Sequence, residues 1–124
     1  TVGLWPAHPE LMVRGLHAEV AGTMLNVMGG VIVFGQVLRY AGVEPGDAAR
    51  FEAGNRYPGV LIGHDVEVVE LPEAFEGDLG VAARWHHTRD FERLLVTWPD
   101  PDGRLPSDPA CDVAYRWAQL GAPG

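Results

Sequence analysis

The sequence predicts an α+β domain: a mostly antiparallel sheet of about five short strands packed against one long helix and two shorter helices. Three observations carry this expectation. Between Leu16 and Tyr40, apolar residues recur at Val20, Met24, Val27, Met28, Val31, Phe34 and Leu38, the three-and-four spacing of a helix. The remaining apolar runs, such as Val66–Leu71 and Phe91–Trp98, are short and β-prone. Strands and helices do not alternate strictly, which disfavours a doubly wound parallel sheet.

In chain order, Thr1–Trp5 is β-prone and ends at Pro6, and Ala7–Pro9 is a turn. Glu10–Leu16 reads as a second strand. The long segment follows as one helix, or as two meeting at Gly29-Gly30, with Glu19 in its first turn and Gly42 as its stop. Val43–Pro58 is polar and turn-rich, with a helical turn near Ala48–Arg50. Gly59–Leu71 makes two strands broken at Gly63-His64-Asp65. In the second of these both faces carry a Glu, so its inner face is open. Pro72 begins a helix running to about His87. Phe91–Trp98 is apolar on both faces, which suits a central strand. A Pro99–Gly103 turn, an extended Leu105–Pro109 and a last helix Ala110–Leu120, preceded by Ser107 or Asp108, complete the chain.

The 124 residues, 47% of them hydrophobic, suffice for a single domain spanning 1–124. The first residue is Thr and already reads as strand, which suggests a missing upstream segment that includes a pairing strand. The formal charge of −8 repels phosphate, so neither nucleic acid nor an anionic membrane is an expected partner. One cysteine, Cys111, rules out an internal disulfide and fits a cytoplasmic setting.

Ala21–Leu38 carries no charged residue and is long enough to raise a membrane span. Thr23, Asn26, Gln36 and the glycines within it argue instead for a buried helix covered on most sides. So small a domain can hardly cover it alone. A homodimer through the Gly22–Asn26–Gly29–Val33 face is therefore expected.

Two separated motifs carry a family resemblance. The first is Thr1-Val2-Gly3-Leu4 followed by His8-Pro9-Glu10-Leu11. The second is Trp98-Pro99-Asp100, Asp102-Gly103-Arg104, and Pro106, Asp108 and Pro109. Together they resemble an uncharacterised bacterial domain family, number 4262 among the domains of unknown function. Ser107 stands where that family more often has Trp, and Leu95 where it often has Gln. The resemblance implies a fold unit and transfers no activity.

Several groups have the composition of a chemical site. Trp85-His86-His87, Arg89-Asp90 and His64-Asp65 offer imidazoles and carboxylates for a transition metal or a hydrolytic centre. Adjacent helical histidines point about 100° apart, however, so His86 and His87 more simply end the helix. His8 and Glu10 are an acid–base pair by composition, although Pro9 explains them as a turn. Asp100-x-Asp102-Gly103 resembles part of a calcium loop, but Cys111 occupies the twelfth position and a Pro-Asp-Gly turn suffices. Cys111-Asp112 lacks the flanking motif of a cysteine hydrolase. Gly29-Gly30 is no phosphate loop. Four tryptophans (Trp5, Trp85, Trp98 and Trp117) are many for a small acidic chain, and two beside Arg104 or Arg89 would hold a flat anionic molecule.

The favoured reading is thus a binding or interaction domain in a biosynthetic or regulatory context. Its small-molecule ligand would meet Trp98, Arg104, His86, His64 and Asp100. The alternative is a small metal-dependent or acid–base enzyme built on the histidines, with His86 and His87 the candidate ligands. No cofactor is specified by the sequence.

Overall fold

The computed structural model describes residue 4 and residues 8–42, 50–61, 63–73, 75, 84–86 and 91–121. Four strands, β1 (Glu10–Met12), β2 (Arg56–Leu61), β3 (His64–Glu70) and β4 (Arg93–Thr97), form one sheet in the order β1-β4-β3-β2. Two helices, α1 (Ala18–Tyr40) and α2 (Val113–Leu120), accompany it. Residues 84–86 are also helical.

The α+β class is as expected, with two corrections to the sheet. Four strands, not five, are present among the described residues, and the sheet is mixed. β2–β3 and β3–β4 are antiparallel, whereas β1 runs parallel to β4 with Glu10 opposite Arg93 and Met12 opposite Leu95. Apart from Leu4, the expected strand Thr1–Trp5 lies outside the described residues, and Leu4 itself is not in a strand. So do the helical turn at Ala48–Ala49 and most of the helix expected over 72–87.

β1 is shorter than the sequence suggested. The chain turns at Gly15, whose φ of 76° favours glycine and whose Cβ position lies only 3.0 Å from the Ala118 Cβ. At the other sheet edge, Gly63 (φ 78°) lets β2 and β3 close a tight hairpin in which Leu61 faces His64. The Arg56–Pro58 stretch, read as loop, is the start of β2. Its pairing with Val66 and Glu67 overrides its polar composition.

α1 is continuous through Gly29-Gly30. At its start the His17 Nδ1 accepts the Glu19 N–H at 3.3 Å. Its inward residues are Met24, Met28 and Ile32, which pack with Leu11, Phe51, Val66, Val68, Leu94 and Val96. Each such buried side chain contributes about 1.5–3 kcal/mol. This corrects the expected stripe, because Val20, Val27 and Phe34 face outward. It also corrects the expectation of a helix covered on most sides, since only 22% of Ala18–Gly35 is buried. By length and composition this stretch is apolar enough to cross a membrane. The register resolves the ambiguity in β3: Val66 and Val68 enter the core, and Glu67 turns to the opposite face.

β4 is interior, as expected, and carries buried residues on both faces. Beyond its end, Trp98 packs edge-on against Tyr115 of α2 with ring centroids 5.5 Å apart. α2 starts at Val113 rather than Ala110. Asp112 is its N-cap, accepting the Ala114 N–H at 2.9 Å, while Asp108 accepts the Ala110 N–H in the preceding turn.

Candidate functional site

The second family-like motif forms a tight knot beyond β4. Asp100 is buried, and its Oδ1 accepts the N–H groups of Asp102 (3.0 Å) and Arg104 (2.9 Å). Its Oδ2 accepts the Asp112 N–H at 2.8 Å. The bonds from Asp112 and Arg104 hold its carboxyl below the usual aspartate range. Both oxygens serve the backbone, so this carboxylate organises the 100–112 loop and is no part of a calcium loop. Arg116 fastens the same loop from α2, donating to the carbonyls of Pro106 (3.1 Å) and Asp108 (2.6 Å).

Gln119 completes the knot, and sequence reading passed it over. Its amide is fully buried. The Oε1 accepts the Trp98 N–H at 2.8 Å and the Nε2 donates to the Trp98 carbonyl at 2.9 Å. The clasp imitates a neighbouring strand at the point where β4 leaves the sheet. No local sequence signal marks it, because the same helix face also carries Tyr115 and Arg116. The Trp98 indole N–H donates to the Arg14 carbonyl at 3.0 Å. Trp98 is therefore a core residue.

The five residues expected to share a ligand pocket are distributed over separate places. Trp98 and Asp100 belong to the knot, and Arg104 is exposed beside it with its Nη1 3.4 Å from the Ala110 carbonyl. His64 lines an open cleft of about 450 Å³ between the β2–β3 hairpin and the loop at Gly103 and Leu105. Arg56 and Asp65 line the same cleft. His86 sits at the opposite, entry end of β4, against Glu10 and Phe91. His87, Arg89 and Asp90 lie outside the described residues. Among the described residues, no three His, Cys, Asp or Glu side chains gather as a metal site. Cys111 is buried, which pushes its thiol pKa up and disfavours the reactive thiolate.

The first family-like motif builds a second polar centre. His8 is buried between β1 and the residues leading to β2, with its Nδ1 2.8 Å from the Pro9 carbonyl and its Nε2 accepting the Phe51 N–H at 2.9 Å. This pattern requires the neutral ring with the proton on Nδ1. Burial is the main cause that lowers the His8 pKa, and Arg50 adds to it. Glu10 is also buried, only 2% exposed. Its Oε1 accepts the Leu4 N–H at 3.0 Å, and its Oε2 lies 2.6 Å from the His86 Nε2. The His86 ring rests against Phe91, with centroids 5.0 Å apart. His8 and Glu10 are thus not paired with each other. Each recruits a partner far along the chain, which no local spacing could reveal.

The family model described as "Domain of unknown function (DUF4262)" matches residues 1–112. The chain belongs to this family. The match takes in His8, Glu10, His86 and Asp100 with their backbone partners, whereas Arg116 and Gln119, which complete the knot, lie beyond it. No curated protein and no solved structure matches the chain.

Proposed function

We propose that this DUF4262 chain is a binding domain that acts as a pair of chains, joined along the outer face of α1. The observation that carries the reading is the run of large apolar side chains that α1 presents to solvent. Val27, Val33, Phe34, Val37 and Tyr40 are all exposed, Phe34 to 64% and Tyr40 to 96%. Beside them, Leu4, Gly22, Leu25, Asn26, Gly29 and Val33 line an open apolar groove of about 560 Å³. A Cβ added at Gly22, Gly29 or Gly30 would meet nothing within 4 Å. Each helix-interior glycine costs about 0.5–1 kcal/mol relative to alanine, and packing among the described residues does not repay it. Close approach of a second helix would. The absence of charge from Ala21 to Leu38 makes this the one long stretch where two chains of net charge −8 meet without repulsion. A cytoplasmic, water-soluble pair fits the acidic composition and the lone cysteine.

Sedimentation velocity at micromolar concentration tests the reading. The expected result is a dimer that Val33→Glu converts to a folded monomer. A wild-type monomer, or a dimer indifferent to Val33→Glu, overturns it.

A further inference from the structure

We propose that the two α1 helices of the pair run antiparallel about a two-fold axis between Asn26 and Gly29, so that each glycine of one groove receives a larger side chain of the other. The inference rests on the chain pairing proposed above and adds its direction and register.

The order of residues along the groove carries it. Gly22, Leu25, Asn26, Gly29, Gly30 and Val33 line one open face of α1. A Cβ added at any of the three glycines would meet nothing among the described residues, so these positions are recesses. Val33 and Val37 stand exposed beside them. Across a two-fold axis every contact occurs twice, since a residue that meets another is met by it in return. With the helices reversed about the stated axis, Gly22 faces the partner's Val33, Leu25 the partner's Gly30 and Asn26 the partner's Gly29. One turn further out, Ala18 faces the partner's Val37. Each of these contacts sets a small residue against a larger one, so the two helices approach closely along the whole groove. A face that complements its own reverse specifies a second copy of this chain as its occupant.

A parallel pair loses this match. Glycine would then face glycine and leave a void, while Val33 against the partner's Val33 would hold the axes apart. Charge favours the same choice. Glu19 lies in the first turn of α1 and would sit beside its counterpart in a parallel pair. Reversal places the two Glu19 residues about 25 Å apart along the axis and sets the helix dipoles head to tail. Asn26 contributes the register. It carries the polar side chain of the groove lining, and it falls within one turn of the axis, next to its counterpart. Two primary amides are complementary in donors and acceptors. A one-turn slip would separate them into an apolar seam, the penalty by which a polar residue in a helix interface fixes alignment.

Cysteine cross-linking reads the direction. Full-length chains carrying Gly22→Cys and chains carrying Val33→Cys are oxidised separately and after mixing. Peptide mass spectrometry maps the bonds and sets aside any made by Cys111. In the antiparallel register, position 22 lies about 16 Å along the axis from the partner's position 22, and position 33 likewise from its own counterpart. A disulfide spans only about 4.4–6.8 Å between Cα atoms. The mixture is therefore expected to give at least about tenfold more cross-linked dimer than either chain alone, through a 22–33 bond. Bonds of 22 to 22 and 33 to 33 in the separate samples would show a parallel pair. They would overturn this inference and leave chain pairing intact, as would a dimer by sedimentation that forms none of these bonds. A wild-type monomer overturns both. Size exchange gives a second measurement. Gly22→Val is expected to weaken the pair at least about tenfold, and Val33→Gly added to the same chain to recover most of that loss. A double variant that pairs no better than Gly22→Val overturns the matched sizes.

Discussion

Gln119→Leu is expected to remove about 2–5 kcal/mol of stability, a large share of the roughly 5–15 kcal/mol of a domain this size. Leucine matches the volume of glutamine closely, so no large cavity opens and the packing of α2 is retained. What disappears is the clasp on Trp98. Its N–H and its carbonyl each lose a bond of under 3 Å in a region that water does not reach. Leaving a buried polar group unpaired costs about 1–3 kcal/mol, and here two are left. Gln119→Glu should be no milder. It keeps an acceptor for the Trp98 N–H but sets a carboxylate against the Trp98 carbonyl in place of a donor. Urea denaturation followed by tryptophan fluorescence reads both variants. A midpoint within experimental error of wild type for Gln119→Leu would show that the clasp is dispensable. Within the same knot, Asp100→Ala should lower the midpoint well below that of Asp102→Ala. Asp100 accepts three backbone N–H groups, whereas the Asp102 carboxylate, among the described residues, reaches only Arg104, at 4.0 Å.

His8→Ala is expected to cost about 2–4 kcal/mol near pH 7.5 and to flatten the acid limb of the stability curve. The buried imidazole fills space against Phe51, with ring centroids 6.1 Å apart, and accepts the Phe51 N–H. The pH dependence follows from the direction of the shift. The native state holds His8 below its ordinary value of 6.5, chiefly through burial, with Arg50 opposing and Glu10 favouring the charge. The unfolded chain therefore takes up a proton first as pH falls. The contribution of neutral His8 is complete above about pH 6.5 and is lost as pH drops from there through the lowered native value. Protonation would place a second N–H against the Phe51 N–H. Wild type should lose up to about 1.4 kcal/mol per pH unit from this group over that window. His8→Ala should lack that component, and thermal melts at pH 7.5, 6.5, 5.5 and 5.0 compare the two slopes. Parallel slopes would mean that His8 does not couple folding to protons.

Local chemistry determined much of this protein by itself. The α+β class, the helix between His17 and Gly42, the central strand before Trp98 and the turn at Gly103 all depend on periodicity and turn residues within a short window. Family membership was legible in the sequence too, and the family model matches residues 1–112. Which face of α1 points inward was not. Its residues are apolar nearly all round, so only contact with Val66, Val68, Leu94 and Val96 selects Met24, Met28 and Ile32. The parallel pairing of β1 with β4 joins residues about eighty positions apart, a partnership that no local pattern encodes. The polar centres arose in the same manner. Glu10 meets His86, His8 meets Phe51 and Gln119 meets Trp98, each across a long stretch of chain. A buried polar group must find a partner wherever the fold supplies one, so its identity is a property of the packed structure and not of the neighbouring sequence.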